Sequence, residues 1–181
     1  MSNPEPLSKK ENAALIIDFF HRTMMHHAMW FAEVQHQLGK EKALAALNEA
    51  WAKSSAIQMA RIGKILGFEL EEGLPKPLLD LPDETLEKFR EGLAVNWLAN
   101  DGIWFQAVEF NRGMNDAKRC NDSCWGQFSP FEAWSVKRML NLPENAGLEG
   151  LKKALQFRLY AFINEQSFDQ ETPTSFVFSM N

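Results

Sequence analysis

The sequence predicts a mainly α-helical protein: a duplicated helical hairpin that forms a four-helix bundle, followed by a short helix and a β-hairpin. Three observations predict this fold. Apolar residues recur every three or four positions over long stretches, and this pattern repeats after 74 residues. Near the end of the chain, apolar and polar residues alternate instead. With 45% hydrophobic and 24% charged residues, the 181-residue chain has the composition of a globular domain. We expect the bundle over residues 1–147, with residues 148–181 packed on the same domain.

The first hairpin is predicted from a capping signal and two glycine stops. Ser8 and Glu11 have the spacing of a capping box, which predicts a helix over residues 9–38. Its apolar seam includes Ile17, Phe20 and Met24. A second helix is predicted over residues 40–66, and a glycine follows each helix. The next eighteen positions, 67–84, hold three prolines and two glycines and indicate a connector.

The second hairpin repeats the first. At a shift of 74 positions two tryptophan pairs match: Trp30 with Trp104, and Trp51 with Trp125. We interpret about residues 15–68 and 89–142 as two copies of one hairpin, with two unrelated hairpins of equal period as the alternative. Helices are predicted over residues 83–112 and 115–140.

The C-terminal segment has a different pattern. A short helix is indicated by four spaced leucines: Leu148, Leu151, Leu155 and Leu159. Residues 160–168 and 175–180 alternate apolar with polar, and residues 169–174 carry turn-forming types, which predicts a β-hairpin. Because two strands are marginally stable alone, we expect the hairpin to pack on the bundle or pair with further strands.

Composition excludes several classes of function. The net charge of -5 gives no electrostatic reason to bind nucleic acid or an anionic membrane. No apolar run approaches the roughly 20 residues of a membrane span, and no secretory signal is recognisable. The two cysteines, Cys120 and Cys124, make no disulfide framework and indicate the cytoplasm. They lie one helical turn apart, and packing is favoured over half of a zinc site.

One polar residue interrupts the apolar seam of each long helix: His27, Gln58, Asp101 and Glu132. Buried polar groups need partners, so we expect these four side chains to face one another in the bundle core. They are predicted to bind a small molecule, with Trp30 and Trp104 as flat walls.

Two alternatives stay open for this polar seam. In one, a divalent transition metal is held by His27, Asp101 and Glu132, with His26 or Glu33 completing the shell and a water ready for hydrolase-like chemistry. In the other, the side chains form a hydrogen-bonded network that only fixes helix register.

Three stretches resemble a known family: residues 26–51 (HHAMWFAEVQHQLGKEKALAALNEAW), 100–125 and 151–168. The chain resembles a family of cytosolic proteins of anaerobic bacteria and archaea that is defined as a domain of unknown function. It is also distantly similar to aminothiazoline-carboxylate hydrolase-like proteins, through the LGKEKAL segment. The resemblance implies that a cysteine-rich segment follows the second strand. Without it, we expect the hairpin edge to favour a homodimer.

Overall fold

A computed structural model describes residues 6–181 and divides the chain into two compact units. One unit ends at Pro77, and the other runs from Leu78 to Asn181; they are called the N-terminal and C-terminal units below. Each contains one hairpin of two long helices that pack against each other. The predicted fold class is confirmed: the described chain is mainly α, with paired helices, a short C-terminal helix and a small antiparallel β-hairpin. Over residues 6–181, every helix is too short or too polar to cross a bilayer.

The N-terminal unit is built on helices α1 (Lys9–Leu38) and α2 (Lys40–Leu66). The predicted capping box is confirmed at Ser8, whose hydroxyl accepts a hydrogen bond from the Glu11 amide at 3.3 Å. The Glu11 carboxylate accepts from the Ser8 amide at 2.8 Å and from its hydroxyl, which lowers the pKa of Glu11. Between the helices Gly39 adopts φ 86°, a conformation that glycine reaches without a steric penalty.

The connector contains regular structure that the sequence did not predict. Strands β1 (Leu70–Glu71) and β2 (Leu74–Pro75) pair antiparallel, and the one-turn helix α3 (Lys76–Leu79) follows. The two residues between the strands, Glu72 and Gly73, have φ of 50° and 83°, which fits a two-residue type I′ turn. The sequence did not predict this turn because its first residue is Glu72, whereas asparagine or aspartate is the usual first residue of a type I′ turn.

The C-terminal unit begins with helices α4 (Asp83–Arg112) and α5 (Met114–Met139). The bounds of α4 are those of α1 displaced by 74 positions, and Gly113 repeats the Gly39 turn with φ 92°. Pro130 lies inside α5 and removes one backbone donor, yet the helix continues for two further turns. This correspondence is what a duplication would produce; common descent of the two hairpins stays a prediction.

The end of the chain folds as a short helix, a 3-10 turn and a β-hairpin. Helix α6 (Gly147–Leu155) precedes the 3-10 turn Leu159–Phe162, and strands β3 (Gln166–Asp169) and β4 (Val177–Met180) pair antiparallel. The strand prediction was wrong for residues 160–165: residues 160–162 belong to the 3-10 turn, and residues 163–165 form no regular structure. Residues 160–162 form a 3-10 turn because of a tertiary contact: a buried carboxylate on α5 binds this segment, as described below.

An ion pair links α6 to the β-hairpin loop. Both carboxylate oxygens of Glu171 lie 2.8 Å from Lys152 Nζ, and this contact raises the pKa of Lys152. The same ammonium lies 5.9 Å from the ring centroid of Phe168 on β3. These contacts hold the β-hairpin to α6, and its packing on the long helices stays a prediction.

Small side chains are among the most buried residues of the long helices. Ala43, Ala94 and Ala117 are almost completely buried. The large seam residues Ile17, Phe20 and Met24 are instead exposed. In a hairpin only the positions that directly face the second helix are covered, and alanine at those positions lets the backbones approach closely.

We predict that Ala94→Leu destabilises the C-terminal unit by about 1–3 kcal/mol, because the side chain is 0% exposed and three more carbons would be overpacked. Ala99→Leu is the matched control: it lies in the same helix and is exposed, so we expect a change within about 0.5 kcal/mol. Chemical denaturation of both variants measures the difference. Equal stability of the two would contradict the close packing of α4.

Candidate functional site

A pocket of about 410 Å³ lies between α4 and α5 within the C-terminal unit, and it is called the α4–α5 pocket below. Its walls include five aromatic residues: Trp97, Trp104, Phe105, Trp125 and Phe128. Five polar or thiol side chains also line it: Asn100, Asp101, Cys120, Asn121 and Cys124. The pocket therefore combines a large flat apolar surface with a few polar groups, the usual composition of a small-molecule site.

The pocket exists because α5 presents small residues where α4 presents large ones. Ala117, Cys120 and Cys124 are spaced by three and four positions, so they share one face of α5. Trp104 and Phe105 project from α4 at the same end of the hairpin. The large rings occupy one side of the interhelical space, and the small side chains leave the other side open.

The aromatic wall is fixed by contacts between its own rings. Trp97 meets Trp125 with centroids 5.5 Å apart at 80°, and Trp125 meets Phe128 at 6.0 Å and 90°. Tyr160 of the 3-10 turn adds an edge contact to Trp97 at 5.2 Å. Edge-to-face pairs of this kind are each worth about 0.5–1.5 kcal/mol beyond their buried area. The wall is thus formed before any ligand binds.

Asp101 is the acidic residue of the α4–α5 pocket, and it is half-buried. Asn121 Nδ2 lies 3.5 Å from both of its carboxylate oxygens. That distance is the outer limit of a hydrogen bond, and such a contact is weak. The Asp101 carboxylate therefore retains most of its capacity to accept hydrogen bonds.

Glu132 lies elsewhere in the same unit and has a different role. Its side chain is 6% exposed and accepts hydrogen bonds from the Leu159 amide at 2.8 Å and from Arg158 Nε at 3.1 Å. These two contacts hold the 3-10 turn against α5 and so position Tyr160 on the aromatic wall. Glu132 is not among the residues that line the α4–α5 pocket, and its predicted role as a ligand stays a prediction.

The structure does not bring Asp101 and Glu132 together. Helices α4 and α5 are antiparallel, and Asp101 lies opposite Asn121, eleven positions before Glu132. At 1.5 Å per residue the two carboxylates are separated by roughly 16 Å along the hairpin. A single metal ion cannot contact both at that separation.

The remaining predicted residues belong to the N-terminal unit. His27 is half-buried, and its ring makes an edge contact with Trp51 at 6.2 Å. His26 makes a similar contact with Trp30 at 6.4 Å, and Gln58 is exposed. Across residues 6–181 no three His, Cys, Asp or Glu side chains are grouped so that they could hold a metal ion. A site shared by His27 and Asp101 stays a prediction.

Sequence reasoning missed Asn121 and Tyr160 as members of the site and its wall. For Asn121 a signal was present: a shift of 74 positions aligns it with Leu47, so a polar residue replaces an apolar one on the same helix face. Tyr160 offered no such signal, because its placement depends on the distant carboxylate of Glu132.

Fold and pocket together define a class: a helical-hairpin protein with an aromatic, acidic pocket between two paired helices. Comparison with protein-family models identifies the family. The chain belongs to a family of unknown function, DUF6125, whose model matches residues 5–82 and 79–181. No curated protein and no solved structure matches the chain.

We predict that Glu132→Ala lowers the free energy of unfolding of the C-terminal unit by roughly 3 kcal/mol, because the Leu159 amide loses its acceptor and Arg158 its counter-charge. Gln58→Ala is the matched control, since it is the equivalent position of the other hairpin and is exposed. Amide hydrogen exchange resolves the effect residue by residue. If protection of Leu159–Phe162 survives in Glu132→Ala, the carboxylate does not hold the turn.

Proposed function

We propose that this protein binds a small molecule in the α4–α5 pocket. The observation that carries the proposal is the combination of a volume of about 410 Å³ with five aromatic walls and a carboxylate. This volume lies within the range of ligand pockets, roughly 300–1,000 Å³. Trp104, which was predicted as a binding wall, lines the pocket, and so does Asp101. Gln58 and Trp30 of the N-terminal unit are not needed for this site.

The two cysteines supply a direct test of binding. Cys120 and Cys124 are the only cysteines of the chain, both are free and exposed, and both line the pocket. A molecule that occupies the pocket must therefore cover them. We predict that indole, a neutral flat probe, slows their alkylation by N-ethylmaleimide in proportion to occupancy, as measured by mass spectrometry of the intact chain.

Two controls make this test specific. Val108→Trp adds bulk to the pocket lining and should remove the protection by indole. Val34→Trp places the same bulk at the equivalent position of the N-terminal hairpin and should leave the protection intact. Alkylation in urea should proceed equally with and without indole. If neither indole nor phenethylamine slows the folded-state rate at its solubility limit, the pocket does not bind flat apolar molecules, and the proposal fails.

A second candidate is a structural or interaction protein, which the buried Glu132 contacts favour. The two candidates differ in their dependence on the pocket, because a purely structural protein would show no protection by indole.

The metal-dependent hydrolase-like alternative requires His27 and Asp101 to share an ion. Elemental analysis of purified protein tests it, and a preparation without stoichiometric metal would refute it.

The wider predictions remain proposals with their own measurements. A homodimer is supported by the two-stranded sheet of β3 and β4, which pairs with no further strand among the described residues. Sedimentation at several concentrations tests it, and a monomer at all of them would refute it.

Duplication is supported by the shared helix bounds, and relatives in which a 74-residue shift gives no match would count against it. A cytoplasmic location is supported by the low cysteine content, and detection in another compartment would refute it.

A further inference from the structure

The Asp101 carboxylate lies in the α4–α5 pocket without a strong partner. Its contact with Asn121 Nδ2 is 3.5 Å long to each oxygen. Within residues 6–181, no Lys, Arg or His side chain forms an ion pair with it. A half-buried carboxylate loses hydration that such a long contact does not replace. The pocket therefore contains a negative group whose electrostatic and hydrogen-bonding capacity is largely free.

The basic residues near the pocket are occupied or distant. On α5, Lys118 is paired with Asp122, and Arg119 Nη2 lies 3.0 Å from Asp116 Oδ1. Arg112 ends α4 eleven residues after Asp101, which is roughly 16 Å along the helix. No basic side chain lines the pocket. The local charge therefore remains negative and disfavours an anionic ligand.

The aromatic lining adds to this preference. The faces of Trp rings carry negative electrostatic potential and attract cations, with about 0.5–2 kcal/mol or more gained as the cation is desolvated. Trp97, Trp104 and Trp125 all line the pocket that holds Asp101. The charge of Asp101 thus favours a cationic ligand, and the aromatic walls favour an apolar body beside that charge.

We propose that the ligand is a small organic cation, a protonated amine carried on a flat apolar body. The ammonium group donates hydrogen bonds to the Asp101 carboxylate, and the body packs against Trp97 and Trp104. This inference rests on the proposed function of small-molecule binding. It goes further by assigning the charge of the ligand and by naming Asp101 as the residue that selects it.

Three probes that share one body test the charge preference: phenethylamine, 2-phenylethanol and 3-phenylpropanoate, which are cationic, neutral and anionic at pH 7. Isothermal titration with the full chain gives their affinities. We expect phenethylamine to bind roughly tenfold or more tightly than 2-phenylethanol, because a hydrogen bond between charged groups is stronger than a neutral one. The anion should bind most weakly.

Two variants assign the preference to Asp101. Asp101→Asn keeps the shape and should remove the preference for phenethylamine over 2-phenylethanol, because the amine loses far more affinity than the alcohol. Asp122→Asn removes a nearby acid that does not line the pocket and should leave the preference intact. Because Asp101→Asn retains binding of the neutral probe, a misfolded variant is recognised at once.

The outcomes separate the two proposals. Equal binding of the amine and the alcohol by the unmodified protein overturns the cation inference, while small-molecule binding stands. An amine preference that survives Asp101→Asn also overturns it, because another group then selects the charge. If neither these probes nor indole bind, small-molecule binding itself fails, and the cation inference fails with it.

Discussion

The buried carboxylate of Glu132 connects parts of the C-terminal unit that are far apart in sequence. It lies on α5 and accepts hydrogen bonds from Arg158 and the Leu159 amide, so a segment 26 and 27 residues later is held against the helix. Arg90 of α4 lies 4.7 Å from the ring centroid of Phe162 in the same segment. Both long helices are thereby joined to the 3-10 turn, and the position of Tyr160 follows from these contacts. The aromatic wall of the pocket depends on them in turn.

Glu132 and Asp101 show how the same functional group, a carboxylate, can have different surroundings in one hairpin. Glu132 has a close amide donor and a guanidinium, which offset the cost of burying its charge. Asp101 is half-buried and has one long contact to an amide. The satisfied carboxylate stabilises the fold, and the under-satisfied one is available to a ligand. Their separation along the hairpin lets the protein keep both.

The sequence predicted the long helices well, because their ends are set by local chemistry. Gly39 and Gly113 adopt positive φ, and the capping box at Ser8 closes the first turn of α1. It predicted Tyr160 wrongly as part of a strand, since alternation of residue types carries no information about the distant Glu132. For the candidate site, the sequence predicted Asp101 and Trp104, which line the α4–α5 pocket, and it placed Glu132 beside them. The periodicity of apolar residues predicts which face of a helix a residue occupies, but it does not predict which residue lies opposite on the neighbouring helix.

The repeat explains why the α4–α5 pocket need not have an equivalent function in the first hairpin. At the position of Asp101 the N-terminal unit has His27, which contacts Trp51, and at the position of Asn121 it has Leu47. The small residues recur, since Ala46 and Ala50 stand where α5 has Cys120 and Cys124. Small residues thus recur at these positions of both hairpins, whereas the carboxylate is present in one. Packing alone does not require a charge at this position, so the difference between His27 and Asp101 supports the proposed ligand role of Asp101.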